Sequence, residues 1–229
     1  MILHIWSSFL VNRIVTRIAL WVCLSSLIGA CLPVQAAEAD LNTLLKGVEQ
    51  RYNRAKTLQV HFVESYTVQG RARKSESGQL TLRKPGRMRW DYAAPTGKLF
   101  VSDGKDVYLY TPEAHRVEKT KLKASDDMRA PLAFLLGKLH FAKEFRNIRS
   151  QPEGSATRIV AEPKTDSLPY TRVEFVVGPD AQIHRVQVTG FDHSILEFDF
   201  EQEKLNPPLE AKLFQFRMPQ GAQLVESAQ

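Results

Sequence analysis

The chain has 229 residues, with 31 lysines and arginines against 25 acids and only two cysteines. Both cysteines, Cys23 and Cys31, fall within the first 36 residues, so a chain processed after Ala36 keeps no thiol. That excludes disulfides and the usual cysteine-based zinc frameworks, and the mild, interspersed basic excess, without basic runs interleaved with aromatics, argues against nucleic acid as a partner.

Residues 1–17 carry Arg13 and Arg17 and no acid, and an uncharged run from Ile18 to Ala36 follows. A basic start, an apolar core and the small-x-small triplet Val34-Gln35-Ala36 describe a secretory signal peptide over residues 1–36. A single domain is expected over residues 37–229, where 29 basic residues stand against 25 acids. The stretch Ile28-Gly29-Ala30-Cys31 also resembles a bacterial lipobox. It leaves open an alternative in which Cys31 is lipidated and anchors the protein to the outer membrane.

From Asp40 to about Thr57 the spacing is helical. Leu41, Leu44, Leu45, Val48 and Tyr52 share one face, and Asp40 or Asn42 is placed to cap the start. Strand signals follow in Val60–Val68, Gln79–Arg83, Arg87–Tyr92, Lys98–Ser102, Asp106–Tyr110 and, more weakly, Arg116–Leu122. Gln69–Ser77 reads as an exposed connection, and Asp103-Gly104 as a hairpin turn. Asp126–Phe145 breaks the rhythm; within it a short helix is expected from about Ala130 to Leu136, with Pro131 in its first turn. Strands resume at Thr157–Ala161, Thr171–Val177, Gln182–Thr189, Ile195–Gln202 and Lys212–Arg217. Short strands joined by turns, with helices at the start and in the middle, predict one antiparallel sheet that curls around something.

Catalytic signatures are missing from this pattern. His61, His115, His140, His184 and His193 are scattered singly, none in metal-ligand spacing, and no Gly-x-Ser-x-Gly joins the Asp192-His193 pair. Glu197, Asp199 and Glu201 alternate along one strand as a wet outer face opposite Leu196, Phe198 and Phe200. Neither an enzyme, a metal site nor a cofactor is expected.

What recurs is apolar, aromatic-rich strand faces. In RKPGRMRWDY, residues 83–92, Met88, Trp90 and Tyr92 take one parity while Arg87, Arg89 and Asp91 take the other. Leu80 and Leu82 alternate in the preceding strand, and Phe198, with Phe214, Phe216 and Met218, continues the theme. Such a sheet presents more apolar surface than two short helices cover, so it must curl on itself, pair with a partner or enclose an apolar ligand.

GQLTLRKPGRMRWDYAAPTGKLFVSDGKDVYLY resembles the core of LolA-type outer-membrane lipoprotein carriers, LFQFRMPQG resembles their closing phenylalanine strand, and PLAFLLG their central helix. The resemblance implies an α+β fold: an incomplete, strongly curved antiparallel β-barrel whose N-terminal and short central helices form a lid. It implies a monomeric periplasmic chaperone that takes acylated lipoproteins from an inner-membrane ABC-type transporter to an outer-membrane receptor. On that reading Met88, Trp90, Tyr92, Leu80, Leu82, Phe198 and Phe216 line an acyl cavity, and Leu132, Phe134 and Leu135 belong to the lid. Many members carry a lid-latching arginine just before the proline; here that position is Lys84, a point donor without the planar fork. A lipid-anchored acceptor or a lipid-sensing module of the same fold are the alternatives.

Overall fold

The computed structural model describes residues 34–122, 132, 139–165 and 168–226. The expected signal peptide up to residue 33 and most of the expected central helix, with Phe134 and Leu135, lie outside the described residues. Contacts group Leu41–Gln229 into one compact unit, apart from Met1–Asp40.

Helix α1 (Val34–Arg54) starts earlier than the sequence reading places it, so Asp40 and Asn42 lie inside the helix rather than at its cap. The run Ala36-Ala37-Glu38-Ala39 supplies strong helix formers that carry the turn pattern back to Val34. The strands are β1 (Thr57–Val68), β2 (Arg71–Ala72), β3 (Glu76–Arg83), β4 (Arg87–Ala94), β5 (Leu99–Asp103), β6 (Asp106–Thr111) and β7 (Arg116–Lys121). The one-turn helix α2 (Phe141–Glu144) precedes β8 (Phe145–Glu153), β9 (Ala156–Pro163), β10 (Tyr170–Val177), β11 (Ile183–Gly190), β12 (Ile195–Leu205) and β13 (Gln223–Glu226).

All thirteen join one sheet in the order β13-β7-β6-β5-β4-β3-β1-β12-β11-β10-β9-β8, with β2 added on β1. Pairing is antiparallel except between β13 and β7. The end strands β13 and β8 do not pair with each other, so the curved sheet stays open. Among the described residues no helix is long and apolar enough to cross a membrane.

The predicted strand Lys212–Arg217 is not a strand. After Pro207-Pro208 the chain forms a 3-10 turn over Ala211–Phe214, packs against β4 and β5, and only later adds β13. A proline has no amide to give to a ladder, and the pair ends the run of β12.

Period two explains where the core sits. Cross-strand partners share a face, and the register links Val60, Leu80, Trp90, Phe100 and Leu109 in one row across β1, β3, β4, β5 and β6. Phe198, Val186, Phe175 and Ile159 form a second row across β12, β11, β10 and β9. Both rows join a single buried cluster with Leu45, Val48 and Tyr52 of α1 and with Leu132, Leu139 and Phe141.

One glycine sets how closely two strands approach. A Cβ at Gly78 would lie 2.0 Å from the Asp91 carbonyl oxygen, beside the register shift between Ser77 and Gly78. Only glycine allows β3 and β4 to approach this closely.

Candidate functional site

On the inner face the structure brings together six of the seven residues assigned to the cavity. Leu80, Met88, Trp90 and Phe198 are wholly buried, with Leu82 and Tyr92 nearly so. Phe62 meets Trp90 edge-on at 4.7 Å between ring centroids and Tyr92 at 5.1 Å, while Phe198 tilts against Trp90 at 5.1 Å. Such aromatic pairs add to the area they bury. The Trp90 Nε1 is buried and has no hydrogen-bond partner among the described residues.

Phe216 is the correction. It stacks on Tyr108 at 4.6 Å, and Tyr108 stands opposite Val101, which stands opposite Arg89, on the face away from Trp90. The Arg89 Nη1 donates to the Leu213 carbonyl at 3.2 Å and holds the C-terminal turn on that outer face, where Phe214 is buried. Alternation misleads there because the segment is not a strand.

The inner face is not purely apolar. Glu64 is buried at the end of the Phe198 row and accepts from the Tyr92 hydroxyl at 2.7 Å, with the Lys98 Nζ 4.4 Å from the Tyr92 ring centroid. Strand parity places Glu64 with Phe62, so an inward acid was legible in the alternation, although the sequence reading passed over it.

The second half of α1 is tied down by polar contacts on three sides. The Arg51 Nε and Nη2 donate to Glu203 Oε1 at 3.1 and 2.7 Å, and the Tyr52 hydroxyl donates to Oε2 at 2.6 Å. That hydroxyl in turn accepts from the Ile183 amide at 2.9 Å. Burial first, and then the Glu203 charge, push the Tyr52 phenol well above the ordinary tyrosine range. Asn53 acts as a backbone mimic, donating to the Leu139 carbonyl at 2.8 Å and accepting from its amide at 2.6 Å. Glu49 accepts from the Phe141 amide at 2.7 Å.

Lys84 supplies the third side. Its Nζ donates to the Tyr52 carbonyl at 2.6 Å, in the last turn of α1. The carbonyl end of a helix is negative, so the ammonium is well placed there. Partial burial holds the Lys84 pKa below the ordinary lysine range. Of the lid residues, Leu132 is buried in the core cluster, and Phe134 and Leu135 lie outside the described residues.

Glu203 is the functional-looking residue that sequence reasoning missed. Simple alternation after Glu197, Asp199 and Glu201 would turn it outward. A bulge intervenes: β1 advances from Gln59 to His61 while β12 goes from Lys204 to Glu201, and Gln202 takes φ 55. The extra residue reverses the parity and turns Glu203 toward α1. No local residue type marks it in advance. Among the described residues no group of three or more His, Cys, Asp or Glu side chains could hold a metal ion.

The described residues thus form an open curved sheet with a buried aromatic inner face, covered by a helix that polar contacts fasten. The family model of the outer membrane lipoprotein carrier protein LolA matches residues 53–217. The outer-membrane lipoprotein carrier protein of Pseudomonas aeruginosa (strain UCBPP-PA14) is 32% identical over 197 residues, covering 83% of this chain and 91% of that protein. The carrier of the same name from Azotobacter vinelandii is 30% identical, over 89% of this chain and 96% of its own. Among solved structures, a LolA superfamily protein from Nitrosomonas europaea superposes with a TM-score of 0.44 at 10% identity, over 76% of this chain and 97% of that one. The chain belongs to the LolA family of outer membrane lipoprotein carriers.

Proposed function

We propose that the protein is a periplasmic chaperone that takes the acyl chains of lipoproteins onto its inner face and carries them from an inner-membrane ABC-type transporter to an outer-membrane acceptor. The single observation that carries this reading is the continuous inner surface of Leu80, Leu82, Met88, Trp90, Tyr92 and Phe198 on a sheet that does not close. The relatives' shared name supports the cargo class, and the basic-then-apolar N-terminus supports export.

The energetics suit the role. Each buried methylene contributes about 0.8 kcal/mol, so a 16-carbon chain is worth on the order of 10 kcal/mol. Cargo must displace the groups that now cover the inner face: the α1 side chains, Leu132, Leu139 and Phe141. The hydrocarbon they lose is replaced by that of the cargo, so the net exchange is small and reversible. Adaptable walls of Met and aromatic rings tolerate chains of different length.

In this reading Lys84 is the latch, and its partner is the carbonyl of Tyr52 on α1. Lys84→Leu loosens the closed state by about 0.5–1.5 kcal/mol, the net worth of one hydrogen bond, which is roughly a 2- to 13-fold shift in the closed:open ratio. The variant is expected to load faster and to surrender cargo more slowly, and Lys84→Arg to do the reverse if its fork reaches a further carbonyl. The experiment isolates the protein from the periplasm, identifies co-purified acylated lipoprotein by mass spectrometry, and follows transfer to outer-membrane vesicles. Absence of any acylated cargo would overturn the function, and identical rates in the three proteins would overturn the latch.

A further inference from the structure

Cations that are scattered through the sequence are gathered by the fold at one end of the sheet. The start of β1, the β3–β4 turn, the β5–β6 turn and the end of β12 meet there. The Lys84 amide donates to the Lys56 carbonyl at 3.0 Å, and the Asn206 amide to the Thr57 carbonyl at 2.9 Å. A Cβ on Gly86 would stand 3.3 Å from the Gly104 Cα, so the two turns lie side by side. These contacts bring together Lys56, Arg83, Lys84, Arg87, Lys105 and Lys204. Arg83 and Arg87 are direct partners across the β3–β4 ladder, a placement in which like charges cost stability.

Among the described residues none of the six has a carboxylate partner, because the neighbouring acids are engaged elsewhere. Glu203 holds Arg51, and Asp106 holds Lys121. The Asp103 Oδ1 accepts from the Lys105 and Asp106 amides at 2.8 and 2.9 Å, closing its own turn. Glu201, beyond the β12 bulge, stands opposite His61. Arg87 and Lys84 donate to the carbonyls of Asp103 and Tyr52, which leaves both charges in place. Even with Asp103 counted against them, the six leave a clear positive excess.

The exposed large apolar side chains of the described residues, Val63, Phe191, Met218, Leu224 and Val225, belong to other segments. A protein interface centres on an apolar core, and single-stranded nucleic acid is held on stacked aromatic rings. This end presents neither. Clustered lysines and arginines without an apolar centre match the diffuse charge of anionic headgroups.

We propose that this end docks the protein on the surface of an anionic phospholipid membrane. The inference stands apart from the acyl-binding reading, because cargo-free protein suffices to test it. Each lysine near such a surface strengthens partition roughly fivefold, or about 1 kcal/mol.

The protein, as exported and processed, is floated with vesicles of phosphatidylglycerol in phosphatidylcholine and with phosphatidylcholine alone. The expected result is co-flotation with the anionic vesicles only, weakened by salt. Changing Lys56, Lys105 and Lys204 together to Gln is expected to reduce partition roughly a hundredfold. All three side chains are exposed, and the bonds that Lys56 and Lys105 make in the turns are backbone bonds that glutamine keeps. The control changes Lys46, Lys74 and Lys143 to Gln; these are exposed on α1, on the β2–β3 connection and on α2. It removes the same net charge and is expected to bind as the parent does. Equal losses in the two triple variants would overturn the proposal in favour of net charge alone. Equal flotation with phosphatidylcholine would overturn it too. Binding of polyglutamate without partition to either vesicle would overturn it in favour of an acidic protein partner.

Discussion

Met88→Glu is expected to lose lipoprotein loading by roughly 5- to 160-fold, while Met88→Leu loads as the parent does. Met88 is wholly buried, standing between Leu82 on β3 and Ser102 on β5. A carboxylate there meets no cation in its row, the Ser102 hydroxyl already donates to the Gly86 carbonyl, and burying an unsatisfied polar group costs about 1–3 kcal/mol in protein contexts, which gives that fold-change. Part of the cost falls on the closed, cargo-free state as well, so loading must be expressed per folded molecule, with circular dichroism reporting the sheet. Leucine nearly conserves the volume and brings no charge, so its cost stays below about 1.5 kcal/mol. Full loading of a folded Met88→Glu protein would remove Met88 from the cargo-binding face.

Glu203→Ala is expected to destabilise the protein by about 2–4 kcal/mol. The side chain is only 4% exposed and accepts three hydrogen bonds, two from Arg51 and one from Tyr52. Hydrogen bonds to a charged group contribute about 1.5–3 kcal/mol, and removing one member of a buried pair leaves its partners uncompensated. Asp180, 3.8 Å from Arg51, offers partial relief and keeps the figure below the upper end of the range for such losses. Glu203→Gln retains an acceptor for Tyr52 and should cost less. Urea unfolding of the three proteins measures both differences, and a Glu203→Ala change within 0.5 kcal/mol of zero, the range of ordinary surface substitutions, would show that α1 is not fastened through this carboxylate.

Much of the fold was legible because strand parity and burial agree over most of the sheet. The alternation in Arg87–Tyr92 placed Met88, Trp90 and Tyr92 inward, where they lie. The failures have separate physical causes. Strand β8 escaped because Arg146, Asn147, Arg149, Ser150, Gln151 and Pro152 form a polar edge with a bulge, and no face of it is consistently apolar. Such polar, irregular edges protect a sheet from pairing further. Strand β13 escaped because all four residues are exposed and its partner β7 is more than a hundred residues away in sequence. Phe216 was misplaced because alternation was read into a segment that forms a 3-10 turn.

The site divides in the same way. Its apolar wall follows from period two within single strands and could be read locally. Its polar fastenings join residues far apart in sequence, such as Arg51 with Glu203, Asn53 with Leu139 and Lys84 with Tyr52. Only the fold brings those pairs together. The family resemblance pointed to Lys84 as a donor, while its acceptor, the carbonyl of Tyr52 on α1, is a finding of the structure.

Trp90 gives the most direct test of the central claim that acyl chains occupy the inner face. The other tryptophans, Trp6 and Trp21, precede Ala36, so a chain processed there has Trp90 as its sole tryptophan. Its ring is wholly buried between Phe62 and Phe198. The measurement is the emission of Trp90 when the protein is loaded with a lipoprotein whose acyl chains carry bromine, against the same lipoprotein with ordinary chains. Strong quenching by the brominated chains alone, lost on transfer to acceptor membranes, is the predicted result. Unchanged emission at demonstrated one-to-one loading would contradict it and place the chains elsewhere.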